Sequence, residues 1–164
     1  MIDASLVLDA IVAVSIAAGA AFAVVELREM RKDRRTGLML QLAAIWLTRE
    51  FHQVLSELVG ARFSDGKEAE SVCSRADLLL IGDFFEIAGE YVETGLLDCD
   101  DVTFSYPVEW AWEKLKPWTM YLRSTTGIDG ALISFERLAQ EAHKRELVAK
   151  RNAKAPRASR RKRP

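Results

Sequence analysis

The stretch Ala4 to Val25 reads ASLVLDAIVAVSIAAGAAFAVV, and how it is understood decides the architecture of the chain. Its twenty-two residues carry one charge, Asp9, and Ala10 to Val25 carry none. A helix rises about 1.5 Å per residue, so the stretch reaches roughly 33 Å, enough for the hydrocarbon core of a bilayer. The first expectation is therefore a transmembrane anchor over residues 1–25, with Asp9 close enough to one end to meet the headgroup layer. Two other readings compete. Ala21-Phe22-Ala23 spells the small-residue end of a secretory signal, but the first nine residues hold two aspartates and no Lys or Arg, the reverse of a basic leader. A buried core helix is the third reading, although a soluble fold rarely needs one so long and so free of charge.

The flanks assign an orientation. Arg28, Arg31, Lys32, Arg34 and Arg35 follow the span, and nothing basic precedes it. The positive-inside rule then places the anchor in the plasma (inner) membrane as a single pass, with the C-terminal domain cytoplasmic. Ser15, Gly19 and Ala23 recur every fourth residue, a stripe that lets two helices approach closely and hints at a homodimer.

Downstream, the apolar period stays helical. Leu40, Ala44, Leu47, Phe51, Val54 and Leu58 follow 4-3-4-3-4 spacing, and Leu38, Leu42, Ile45 and Trp46 cluster on roughly the opposite side. A helix apolar on two sides is sandwiched in a bundle or shared with another chain. It should end near Gly60, where GARFSDG supplies breakers. A second helix is expected from about Ala69 to Thr94, with Gly95 at its stop. Asp83, Glu86, Glu90 and Glu93 share an arc of about 80° on its polar side, at 100° per residue. Di-metal bundles use inward carboxylates together with Glu-x-x-His. Here no Glu has His three positions later, so a solvated acidic face is the preferred reading and no metal or cofactor is expected. His52 and His143 stand isolated in the sequence and read as surface histidines.

LLDCDD, Leu96 to Asp101, is rich in helix-capping residues. Phe104, Tyr106, Trp110, Trp112, Trp118 and Tyr121 follow, cut by Pro107 and Pro117 into a short piece, a helix and a kinked continuation. Interleaved charges mark these aromatics as core of an amphipathic helix rather than a ligand platform. TTGIDG, Thr125 to Gly130, is a turn, and Leu132 to Ala142 opens a last helix with Asp129 as its cap.

Net charge is −1, but the charges are segregated. Glu50 to Glu113 holds fifteen acidic against three basic residues, and Lys144 to Pro164 holds ten basic against one acidic. Arg157, Arg160, Arg161, Lys162 and Arg163 close the chain. Such a tail meets membrane lipid, the acidic body of the chain itself or nucleic acid; near an anionic bilayer each base contributes on the order of 1 kcal/mol. Cys73 and Cys99 form no CxxC pair, and no nucleotide, zinc-protease, serine-hydrolase or calcium-loop motif occurs.

Phe84-Phe85-Glu86, Gly89, Gly95-Leu96-Leu97-Asp98, Trp112 to Pro117, Leu122-Arg123 and Phe135 to Ala139 together resemble the domain-of-unknown-function family 4760. The resemblance also takes in Trp46 and Glu50-Phe51, and it covers about Arg34 to Ala142. It implies small prokaryotic helical proteins, often with an N-terminal membrane helix, and it brings no activity and no catalytic residues. The expected fold is all-α: a transmembrane helix, a bundle of about four helices over 26–147, and a disordered basic tail over 148–164. The expected function is a membrane-anchored helical interaction module without catalysis. Its candidate contact surface is Leu38, Leu42, Ile45, Trp46, Asp83, Glu86, Glu90 and Glu93, and its candidate anionic-partner contacts are the five basic residues at 28–35 and those of the tail. The alternatives are a carboxylate metal-binding or enzymatic bundle and a tethered nucleic-acid binder.

Overall fold

A computed structural model describes the backbone of residues 4–154 and the side chains of residues 12–152. Seven helices and no strand occur among the described residues: α1 (Ala4–Trp46), α2 (Arg49–Gly60), α3 (Gly66–Val72), α4 (Arg75–Glu93), α5 (Cys99–Ser105), α6 (Val108–Thr126) and α7 (Ile133–Lys154). The chain divides into two units between Gln41 and Leu42.

The first unit is most of α1. No helix among the described residues is long and apolar enough to cross a membrane, which overturns the transmembrane anchor expected over residues 1–25. The uncharged run between Asp9 and Glu26 is only sixteen residues, about 24 Å of helix against the roughly 30 Å of a hydrocarbon core. Nine of those sixteen are Ala, Gly or Ser, which contribute far less on transfer to lipid than Leu, Ile or Phe. Beyond Val25 the helix carries Glu26, Arg28 and Glu29 in quick succession.

The second unit is a helical bundle, of more and shorter helices than the four expected. Its core joins Leu42, Phe51, Val54 and Leu58 to Leu78, Ile81, Phe84 and Phe85 of α4, Val102 of α5, and Leu115 and Trp118 of α6. Phe135, Leu138 and Ala142 of α7 complete it. A path of ring contacts runs through this core. Trp46 meets Phe51 at 5.0 Å and Phe84 at 5.6 Å, Phe84 meets Phe85 at 5.1 Å, and Phe85 stacks on Phe135 at 4.8 Å. Aromatic pairs at such spacings add about 0.5–1.5 kcal/mol each beyond their buried area.

Two expected long helices are broken, and each break has a cap. The seam from Leu40 to Leu58 is interrupted after Trp46. Thr48 takes an extended conformation, and its hydroxyl accepts from the Phe51 N–H at 3.2 Å, starting α2 afresh. The phase therefore resets: Leu40 is 66% exposed and Leu47 71%, whereas Phe51, Val54 and Leu58 are buried. The helix expected from Ala69 to Thr94 is likewise split, because Ser74 accepts from the Asp77 N–H at 3.2 Å and donates to the Asp77 carboxylate. Gly95 does stop α4. At φ +69° it lets Leu96 N–H reach the Tyr91 carbonyl at 2.8 Å and its own N–H reach Val92 at 3.0 Å, closing the helix end. Pro107 separates α5 from α6, but Pro117 lies inside α6, which runs unbroken to Thr126. The helix of α7 extends to Lys154, so the first residues of the expected disordered tail are helical; residues 155–164 lie outside the described residues.

The approach of α4 to α7 is set by a glycine. A Cβ at Gly89 would stand 2.4 Å from the Ser134 carbonyl oxygen, whereas one at Gly37 of α1 would meet nothing within 4 Å. Gly89→Ala should therefore lower stability by about 1–3 kcal/mol through overpacking. Gly37→Ala should be neutral or gain up to about 1 kcal/mol from helix propensity. Chemical denaturation of the two variants checks both signs.

Candidate functional site

The start of α7 is built by other helices. Leu132, just before it, sits at φ +56°, a conformation that costs a branched residue about 1–2 kcal/mol. Its side chain is buried against Gly82 of α4, where an added Cβ would come within 2.9 Å. Arg123 of α6 fixes the preceding turn: its Nε donates to the Ala131 carbonyl at 2.8 Å and its guanidinium pairs with Glu136 at 2.8 Å. The cap itself comes from α4. Glu86 accepts from the Ser134 N–H at 3.2 Å and from the Phe135 N–H at 2.7 Å, one bond to each carboxylate oxygen. Glu93, two turns on, accepts from the Ser134 hydroxyl at 3.2 Å and pairs with Arg137 at 3.2 Å.

The acidic stripe of the sequence is thus not one surface. Glu86 and Glu93 close the seam with α7, and Asp83 and Glu90 are exposed. Even at this exposed position, desolvation by neighbouring groups pushes the Asp83 carboxyl above its usual range. Asp129, expected to cap the last helix, lies in the turn four residues ahead of Ile133, and Glu86 does the capping instead. Of the apolar candidates, Leu42 is 1% exposed and Trp46 lies among Phe51, Phe84 and Tyr106, so both belong to the core of the second unit. Leu38 and Ile45 are half-buried. Arg28, Arg31, Lys32 and Arg34 are exposed on α1, Arg35 is half-buried, and the five basic residues of the tail lie outside the described residues. Cys73 and Cys99 are buried free thiols, and burial raises both above the ordinary thiol range, which favours the protonated form.

A second constellation joins α6 to α7. Glu109, in the first turn of α6, has its Oε2 at 3.2 Å from Nδ1 of His143 on α7, and Glu146 stands one turn further along the same helix. One ligand atom from each of the three lies within 4.8 Å of the others. Glu146 is also in contact with Lys150 at 2.7 Å, whose hydrogen bond and charge hold the Glu146 carboxyl below its usual range. The spacing His143-x-x-Glu146 was available in the sequence, in the reverse order of the Glu-x-x-His that metal bundles use. Elsewhere, a polar hollow of about 430 Å³ between Arg62, Glu68, Glu113 and Lys114 has its lysine tied to the Ala61 carbonyl at 2.7 Å.

Compared with protein-family models, with curated proteins and with solved structures, the chain has no match.

The division of the acidic stripe is open to test. Glu86→Ala strands two N–H groups at a helix start and should cost about 1–3 kcal/mol, with Glu86→Gln intermediate. Glu90→Ala, on the exposed part of the same helix, should stay within about 0.5 kcal/mol. Urea midpoints of the three variants decide between a structural seam and a uniformly solvated face.

Proposed function

We propose that this chain is a helical interaction module, and that α1 forms its contact by packing against other copies of the same chain. One observation carries the reading. Residues 12–34 are exposed throughout, and Val12, Val14, Ile16, Phe22, Val24, Val25, Leu27 and Met30 among them point to all sides of the helix. A helix that is apolar all round requires neighbours on more than one side.

Areas favour more than two copies. The uncharged part, Val12 to Val25, makes a rod about 21 Å long and 10–12 Å across, with roughly 700 Å² of flank. A single neighbour covers about a third of that, well below the roughly 800 Å² per partner of a standard interface. Three or four helices around a common axis cover about twice as much of each rod as a pair does. The small residues Ser15, Gly19 and Ala23 recur every fourth position of α1, a spacing that permits close approach of a second helix. Past Val25 both signs of charge alternate, Glu26, Arg28, Glu29, Arg31, Lys32 and Asp33, so neighbouring copies can pair opposite charges where the apolar contact ends.

Light scattering of the full chain after size exclusion should give a mass of three or more copies, and Ile16→Glu with Phe22→Glu should reduce it to one. The second unit should keep its unfolding transition in that variant. A wild-type monomer overturns the proposal, as does a monomer that floats with phospholipid vesicles or an assembly indifferent to both substitutions.

A further inference from the structure

We propose that Glu109, His143 and Glu146 form a surface site for a divalent transition metal, with Zn²⁺ the best match to the donors. The geometry is supplied by two helices locked together beneath it. Trp112 of α6 and Phe135 of α7 meet edge to face at 5.2 Å, and Ala111 and Ala142 are buried on the facing sides. That packing fixes where Glu109 emerges relative to His143, while the three-residue spacing puts His143 and Glu146 on one face of α7.

The distances suit a metal. Two ligands bound at about 2.0–2.1 Å to a tetrahedral Zn²⁺ stand roughly 3.3–3.4 Å apart. Glu109 Oε2 and His143 Nδ1 are 3.2 Å apart, already the edge of such a tetrahedron, and only Glu146 has to close in. One imidazole nitrogen and two carboxylate oxygens favour Zn²⁺ over Mg²⁺ or Ca²⁺, which prefer all-oxygen shells. Three protein ligands leave a fourth position for water or a small anion. The competitors are weak or occupied. Lys150 holds Glu146 through an exposed pair of the kind a dication displaces, and Arg145 is engaged by Asp100 and Glu141.

The alternative is that Glu109 and His143 only hydrogen-bond α6 to α7. Calorimetric titration of the untagged full chain with ZnCl₂ separates the two. The expected result is one saturable site, weakened roughly tenfold or more by His143→Ala and by Glu109→Gln. His52→Ala should leave it unchanged. The His143 side chain is exposed and that of Glu109 half-buried, and thermal unfolding checks that both variants stay folded. No saturable binding, or equal affinity in the parent and in His143→Ala, overturns the proposal.

Discussion

The carboxylate of Glu86, laid across the first turn of α7, is the contact on which the second unit depends. A helix start leaves N–H groups without intrahelical partners, and a buried one needs them satisfied. Here the chain enters α7 through a strained Leu132, and no capping side chain sits next to the start. A residue forty-eight positions earlier supplies the acceptors. For Glu86 to reach, α4 must lie almost in backbone contact with α7, and Gly89 permits that. Gly82 makes room for Leu132, and Arg123 pins the turn from α6. The stacked Phe85 and Phe135 then sit at the seam these polar contacts align. Strain, cap and aromatic packing are thus coupled, because each is satisfied only when α4, α6 and α7 are all in place.

Much of this fold is legible in the sequence, for a local reason. Helical period, the stop at Gly95 and the turn at Gly127 are properties of a few neighbouring residues, and both glycines take the positive φ that such ends favour. The breaks at Thr48 and Ser74 were masked by the same periodicity that revealed the helices. Leu40, Ala44, Leu47 and Phe51 keep helical spacing across a helix end, and spacing alone does not say whether one helix or two carries it. Ser74-x-x-Asp77 was the readable signal, being a capping pattern in the middle of an apolar run. The first twenty-five residues misled in another way. The run is long and uncharged, as a membrane span is, but its Ala, Gly and Ser content leaves it only weakly apolar.

The candidate sites were less legible, because they join residues far apart in the chain. The acidic stripe on α4 told which side of the helix was polar but not what stood opposite. Water is the default neighbour, yet Glu86 faces the N–H groups of a helix start, which favour negative charge, and Glu93 meets the Ser134 hydroxyl and Arg137. His143 and Glu146 were readable as a pair on one helix face. Glu109, thirty-four residues away from His143, became their neighbour only through the packing of α6 on α7.

The two units also differ in how fully they satisfy themselves. In the second, each amphipathic helix turns its apolar side to others, and polar groups such as the Lys114 ammonium and the Trp118 indole N–H find partners across helices. In the first, Ile16, Phe22 and Met30 remain exposed on different sides of one rod. Isolated helices gain little from propensity alone, and most helical stability comes from packing an apolar face. A helix whose apolar residues stay exposed on every side, as over residues 12–30, is therefore incomplete as an isolated element. Its small residues make it thin, so neighbours can come close without any single large side chain defining one preferred face. Its larger exposed side chains, Ile16, Phe22, Leu27 and Met30, lie spread along the rod, and charges of both signs follow from Glu26 onward.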